Sequence, residues 1–197
     1  RMMGRLLGLW LLGMISVASV GCAGRSSSVD PVIYAAMRND LSGLKKVLVK
    51  PGSANVVDHD GLTALMLASS YGNAEAVDML LSAKADPNTT DGYGNTALML
   101  ASVAGFDRIV QRLLDAGAKT GSFNKAGFTA LTVAAAAGKT DVVARLVRAG
   151  ADINQPTVRG DTPLILATAR EHVSVVALLL KQGADGDRPN AVGATPN

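Results

Sequence analysis

Apolar residues along residues 30–197 come in short bursts of helical period, set apart by polar and glycine-bearing stretches. In Thr63-Ala-Leu-Met-Leu-Ala-Ser-Ser70 the spacing puts Leu65 and Ala68 on one helical face, and Ala76, Val77, Leu80 and Leu81 recur at helical spacing just beyond. Gly72 separates the two segments, a Gly-Ala-Asp-type turn closes the second in most units, and an extended loop leads to the next threonine. The pattern predicts pairs of short antiparallel helices joined by loops.

The same unit returns at a fixed step. Thr63, Thr96, Thr129, Thr162 and Thr195 follow one another every 33 residues, and Gly61, Gly94, Gly127, Gly160 and Gly193 keep that step. So do Ala68, Ala101, Ala134 and Ala167, and Leu80, Leu113, Leu146 and Leu179. Isolated helices need about 12–15 residues to persist in water, so helices this short must bury their apolar faces on a neighbour. At roughly 1.5–3 kcal/mol per buried Leu or Val, stacking supplies the stability a single unit lacks. The alanine row lets neighbouring helices approach closely.

Asp161-Thr162-Pro163-Leu164-Ile165-Leu166-Ala167 and Arg148-Ala-Gly-Ala-Asp-Ile-Asn154 resemble the two signature stretches of the ankyrin repeat. The resemblance covers residues 30–197: a degenerate first unit (30–57), full units at 58–90, 91–123, 124–156 and 157–189, and a partial one at 190–197. It implies an all-α solenoid of stacked helix-turn-helix units with projecting β-hairpin-like loops. Three departures carry expectations. The Thr-Pro-Leu-His of the family becomes Thr-Ala-Leu-Met, Thr-Ala-Leu-Thr or Thr-Pro-Leu-Ile, so the imidazole that bonds neighbouring units is missing and stability must lean on packing. Lys84 stands where Gly117, Gly150 and Gly183 occupy a turn that wants positive φ. Ala118-Lys-Thr-Gly-Ser122 replaces Ala-Asp-x-Asn, which predicts a displaced loop. The stop at Thr195-Pro196-Asn197 inside a unit, and the start at Arg1, point to a fragment or an unrecognised cap.

Composition agrees with helices: the apolar content is mainly Ala, Leu and Val, with 4% aromatics. The first residues read differently. Arg1 and Arg5 precede the apolar run Leu6–Val20, followed by Gly21, Cys22 and Ala23, the order of a secretory signal over residues 1–21. Ser19-Val20-Gly21-Cys22 resembles the bacterial lipobox, with Ser19 in place of the preferred Leu; the resemblance implies lipid on Cys22. Ala23, where members kept at the inner membrane carry Asp, points to the outer membrane, and the small polar residues up to Val29 form a tether. An ordinary signal cut, giving a soluble secreted protein, and a retained membrane anchor are the alternatives. Removing Arg1 and Arg5 from the 19 basic residues leaves 17 against 16 acidic ones, with no basic run, which excludes a nucleic-acid binder.

The residues offer little chemistry. One cysteine and the distant pair His59 and His172 make neither a disulfide nor a metal-ligand cluster, and no nucleophile-elbow, phosphate-loop or zinc-protease motif occurs. Glu171-His172 falls at the turn that Gly72, Gly105 and Gly138 occupy elsewhere, and reads as a solvated turn pair. His59 between Asp58 and Asp60 reads as a polar loop tip, and Asp86, Asp152 and Asp185 as turn residues bonding nearby amides. No cofactor, small-molecule substrate or catalysis is expected.

The ankyrin resemblance implies protein binding by the loop tips and the first helix of each unit. Read by phase, that face holds His59, Asp60, Leu62, Tyr71, Tyr93, Asn95, Lys125, Phe128, Arg159, Asp161 and Arg170. Leu62, Tyr71, Tyr93 and Phe128 offer apolar anchors, with Lys125, Arg159 and Arg170 toward the later end. The function expected is a non-catalytic interaction module in the cell envelope, in the periplasm and lipid-tethered. Its alternatives are an inhibitor or immunity protein against a toxin or hydrolase, and a secreted host-directed effector.

Overall fold

The structure is a computed structural model that describes residues 30–193 and 195. The expected signal segment, Cys22 and its tether lie outside these residues. Ten α-helices run through the described residues: α1 (Pro31–Met37), α2 (Leu41–Val47), α3 (Ala64–Tyr71), α4 (Ala74–Ser82), α5 (Ala97–Ala104), α6 (Asp107–Asp115), α7 (Ala130–Ala136), α8 (Thr140–Arg148), α9 (Pro163–Ala169) and α10 (Val173–Lys181). Each odd-numbered helix packs on its even-numbered partner and on the odd-numbered helices of the adjoining units. The molecule is the all-α repeat solenoid that the 33-residue period predicts. No helix among the described residues is long and apolar enough to cross a membrane.

The threonine row starts the inner helices. Thr63, Thr96, Thr129 and Thr162 each sit in extended backbone as N-caps, their Oγ1 accepting from the N–H three residues on at 3.1, 3.4, 3.2 and 3.3 Å. The helices that follow are buried almost all round: Ala64–Ser69, Ala97–Ser102 and Ala130–Ala136 have no exposed residue. The outer helices bury one stripe each, such as Ile109, Val110 and Leu113 in α6 and Val142, Val143 and Leu146 in α8. Core-facing rows found in the sequence, Ala68 to Ala167 and Leu80 to Leu179, are fully buried.

Glycine in the turn between the two helices of a unit answers two demands. Gly72 and Gly138 have φ of 80° and 69°, and a Cβ there would lie 2.8 Å from the Phe106 ring and 2.7 Å from the His172 ring of the next unit. Glu171 occupies the corresponding turn of the last full unit with φ 60° and is exposed, so it carries only the backbone cost. The turn after the outer helix makes one demand. Lys84 has the positive φ (65°) expected of its row, and at Gly117, Gly150 and Gly183 an added Cβ would meet nothing within 4 Å.

Inter-unit stability leans on packing as expected, and asparagines add to it by tying the units together where histidine is lacking. Asn55 donates its Nδ2 to the Lys84 carbonyl and accepts from the Asp86 N–H; Asn88 does the same for Gly117 and Lys119. Asn154 accepts from Asp185 N–H. In the third unit Gly121 takes the asparagine's place. The backbone at Lys119 keeps its bond to Asn88, so the sequence departure at 118–122 removes the side chain that would reach the next unit instead of breaking the loop's link to the previous one. Outer helices add ion pairs between units, Arg112 with Asp78 and Arg145 with Asp107, and Arg145 also donates to the Gln111 side-chain oxygen.

Melting curves check these assignments. Gly72→Ala should cost about 1–2 kcal/mol for its left-handed backbone plus the displacement of Phe106, and so more than Gly117→Ala, which carries the backbone cost alone. Lys84→Gly should raise stability by up to about 1 kcal/mol, since the side chain is exposed and the bonds at this residue are made by its backbone N–H and carbonyl, which glycine keeps. Ala134→Leu should overpack the inner seam and cost about 1–3 kcal/mol. The hydrogen bond from Arg145 holds the Asp107 carboxyl below its ordinary value of 3.8, helped by the charges of Arg145 and Arg148 and opposed by burial. A lowered folded value stabilises above the ordinary one, so Asp107→Asn should cost about 0.5 kcal/mol at neutral pH. In acid titrations followed by melting temperature, that difference should shrink below 3.8 and vanish once the folded carboxyl protonates.

Candidate partner-binding face

The loops between units are tight hairpins closed by their own backbone. In the first, Asp58 N–H donates to the Leu62 carbonyl at 3.0 Å and Gly61 N–H to the Asp58 carbonyl at 3.1 Å; the hairpins starting at Asp91, Asn124 and Thr157 repeat both bonds. Val57–Thr63 and Phe123–Thr129 form isolated antiparallel bridges at the bases of two of them. The expected β-hairpin-like loops are therefore present in minimal form.

Neighbouring tips are bonded to one another. Gly92 N–H donates to the Asp60 carbonyl (2.8 Å), Lys125 N–H to Tyr93 (3.0 Å), Val158 N–H to Ala126 (3.1 Å) and Ala191 N–H to Arg159 (3.0 Å). The row of tips is thus a continuous backbone ladder, held at its base by the threonine caps. A row fixed in this way loses little freedom when a partner binds to it.

The structure divides the sequence-predicted face into two groups. His59, Asp60, Tyr93, Lys125 and Arg159 stand exposed along the tips, with Tyr93 60% exposed, and Tyr71 is 44% exposed at the end of α3. Leu62 and Phe128 are half-buried and pack against the core, where they support the hairpins from beneath. Asn95, at 6% exposure, does not belong to the open surface: its Nδ2 donates to Asp91 and its Oδ1 accepts from Asn124 of the next hairpin. Asp161 is half-buried and accepts from Asn190 Nδ2. Arg170 donates to the Ala136 carbonyl at 2.9 Å, capping the end of α7, and its desolvated guanidinium has a lowered pKa. These last three positions follow the binding phase, yet their side chains bond within the stack.

A cleft of about 500 Å³ opens between the first two tips, lined by His59, Asp60, Gly61, Thr90, Asp91, Gly92 and Tyr93. The imidazole of His59 lies 3.0 Å from the Asp60 carboxylate. Asp58, His59 and Asp60 could each turn one ligand atom toward a common point. Asp58 Oδ1, however, already accepts from the Asp60 and Leu62 N–H groups, as a loop residue would. The other aspartates singled out behave likewise: Asp86, Asp152 and Asp185 accept from Asn88, Asn154 and Asp187 N–H.

Glu171 and His172 do not make a reactive pair. His172 bonds through Nε2 to the Ala136 carbonyl at 3.1 Å, while Glu171 is exposed. Asn73, one helix-turn position equivalent in the second unit, donates to Ala36 in the same way at 2.9 Å. Missed in the sequence was the tip ladder. Its donors and acceptors are backbone atoms common to all residues, so only the strict 33-residue phase could have hinted at it.

A family model for ankyrin repeats (three copies) matches residues 32–124 and again 104–190. Those two spans cover most of the chain and coincide with the stacked helix pairs and their bonded tips. The chain belongs to the ankyrin-repeat family, whose stacked units are protein–protein interaction modules and in general have no catalytic role.

Proposed function

We propose that this protein holds a partner protein on the face formed by its tips and inner helices, while lipid on Cys22 tethers it in a bacterial cell envelope. The observation that carries the first half is the bonded tip ladder with exposed Tyr93 above it and Tyr71 at the end of α3. Aromatic side chains on a rigid support are what interfaces use as anchors, because they bury large area at low entropic cost. The second half rests on the signal-like order of residues 1–21 and on the lipobox-like Ser19-Val20-Gly21-Cys22. The near-neutral mature charge and the exposed, pre-organised tips suit a protein partner and not a nucleic acid.

A toxin or hydrolase bound on this face would make the protein an inhibitor, and a structural partner would make it a scaffold. The test is crosslinking in bacterial envelopes, with a photoreactive residue placed at Tyr93 or Ala104 and, as a control, at Arg148 on an outer helix. One protein should be captured from the first two positions and not from the third. Tyr71→Ala should weaken that complex by about 2 kcal/mol, roughly thirtyfold in Kd, without lowering the melting temperature. Intact mass should show diacylglycerol on Cys22, and Cys22→Ser should move the chain into the soluble fraction. Capture from Arg148 alone would sink the binding face; an unmodified Cys22 would sink the tether.

A further inference from the structure

The tips are sorted by charge, and the fold does not require the sorting. Each hairpin opens with a residue whose side-chain oxygen accepts backbone N–H groups ahead of it. Asp58 accepts from Asp60 and Leu62, Asp91 from Tyr93 and Asn95, and Asn124 from Ala126 and Phe128. In the fourth hairpin the hydroxyl of Thr157 accepts from Asp161. A neutral amide therefore does for the third hairpin what a carboxylate does for the first two. Negative charge at Asp58 and Asp91 is surplus to the loop geometry.

Along the row, the first two tips carry Asp58, Asp60 and Asp91, and the third and fourth expose Lys125 and Arg159, the carboxylate of the fourth hairpin, Asp161, being half-buried against Asn190. Among the described residues neither Lys125 nor Arg159 is in an ion pair, whereas Arg112 and Arg145 on the outer helices are both matched by carboxylates of the preceding unit. These two arginines are neutralised where units meet, and the tip cations are open. The first two tips also enclose the cleft that Tyr93 lines.

We propose that the tips take an extended protein segment of the opposite charge order. A Lys or Arg side chain enters the cleft against Asp60 and the Tyr93 ring, and a Glu or Asp meets Lys125 and Arg159. The inference rests on the partner-binding reading above and adds the partner's chemistry. A cation between a carboxylate and an aromatic face gains from both. Exposed pairs contribute about 0–1 kcal/mol each, so their value lies in fixing register and direction as much as in affinity. Helices stack about 10 Å apart, which puts the two charge centres roughly 20 Å from each other. At about 3.3 Å per residue, an extended segment covers that distance in about six residues.

The test titrates the full, isotope-labelled chain with a peptide of about nine residues, Arg-Arg-Ser-Gly-Ser-Gly-Ser-Glu-Glu, and with its reverse, at low ionic strength. Amide shifts are followed by NMR. One direction should shift the Asp60, Tyr93, Lys125 and Arg159 amides, and its affinity should fall about fivefold when Gln replaces Glu or when the spacer is cut to two residues. Asp58→Asn with Asp60→Asn, and separately Lys125→Gln with Arg159→Gln, should weaken binding to a similar degree at unchanged melting temperature, since Asn124 already shows the amide closing a hairpin. Equal binding of the mixed-charge, Gln-substituted and short-spacer peptides, or no tip shifts at millimolar peptide, overturns the proposal. If a crosslinked envelope partner still binds both double variants at full affinity, the charge order is wrong and the binding face stands. If no position on the face captures a protein, the face falls and the charge order with it.

Discussion

Everything in this molecule depends on the burial of one unit against the next. The α-helices of the described residues are seven to nine residues long, too short to hold alone, and the inner ones are apolar nearly all round. A helix with no polar face has no stable surface to show to water, so each inner helix must be enclosed by its outer partner and by inner helices on either side. That makes stability a sum of nearest-neighbour interfaces, with no central core. The alanine row at the seam is the consequence, because a larger side chain would push adjoining units apart.

The hydrogen bonds between units act at three levels on top of that packing. Backbone bonds join the tips, asparagine side chains join the turns after the outer helices, and Asn73, Arg170 and His172 reach back to the ends of preceding inner helices. Each satisfies polar groups that helix ends and turns leave open. Their placement also shows why one unit can lose a member at little structural cost. Gly121 drops an asparagine link, yet the tip bond from Lys125 N–H to the Tyr93 carbonyl still ties the third unit to the fourth.

Function follows from which surfaces this bonding leaves free. On the outer helices Arg112 and Arg145 are matched with carboxylates, and the turns are filled by Phe106, Lys139 and His172 of following units. The tips are different: their backbone is locked while side chains such as Tyr93, Lys125 and Arg159 stand in solvent. Rigid backbone with open side chains is a surface suited to recognition, since binding then orders few atoms and can use those side chains directly.

The sequence by itself determined the repeat, its helix pairs and the outward phase of the tips, because a 33-residue period leaves each position with one environment repeated from unit to unit. Lys84 and Glu171 were legible as residues in glycine turns for that reason. It also marked His59, Asp60, Tyr71, Tyr93, Lys125 and Arg159 as outward residues, and the structure leaves them so. Tertiary structure alone decided which phase-matched residues are open. Asn95, Asp161 and Arg170 share the register of exposed neighbours, yet each bonds to an adjoining unit. Leu62 and Phe128 lean on the core. Phase reports the direction in which a side chain leaves its own unit; whether it reaches solvent depends on the unit stacked beside it, 29 to 34 residues away in the chain.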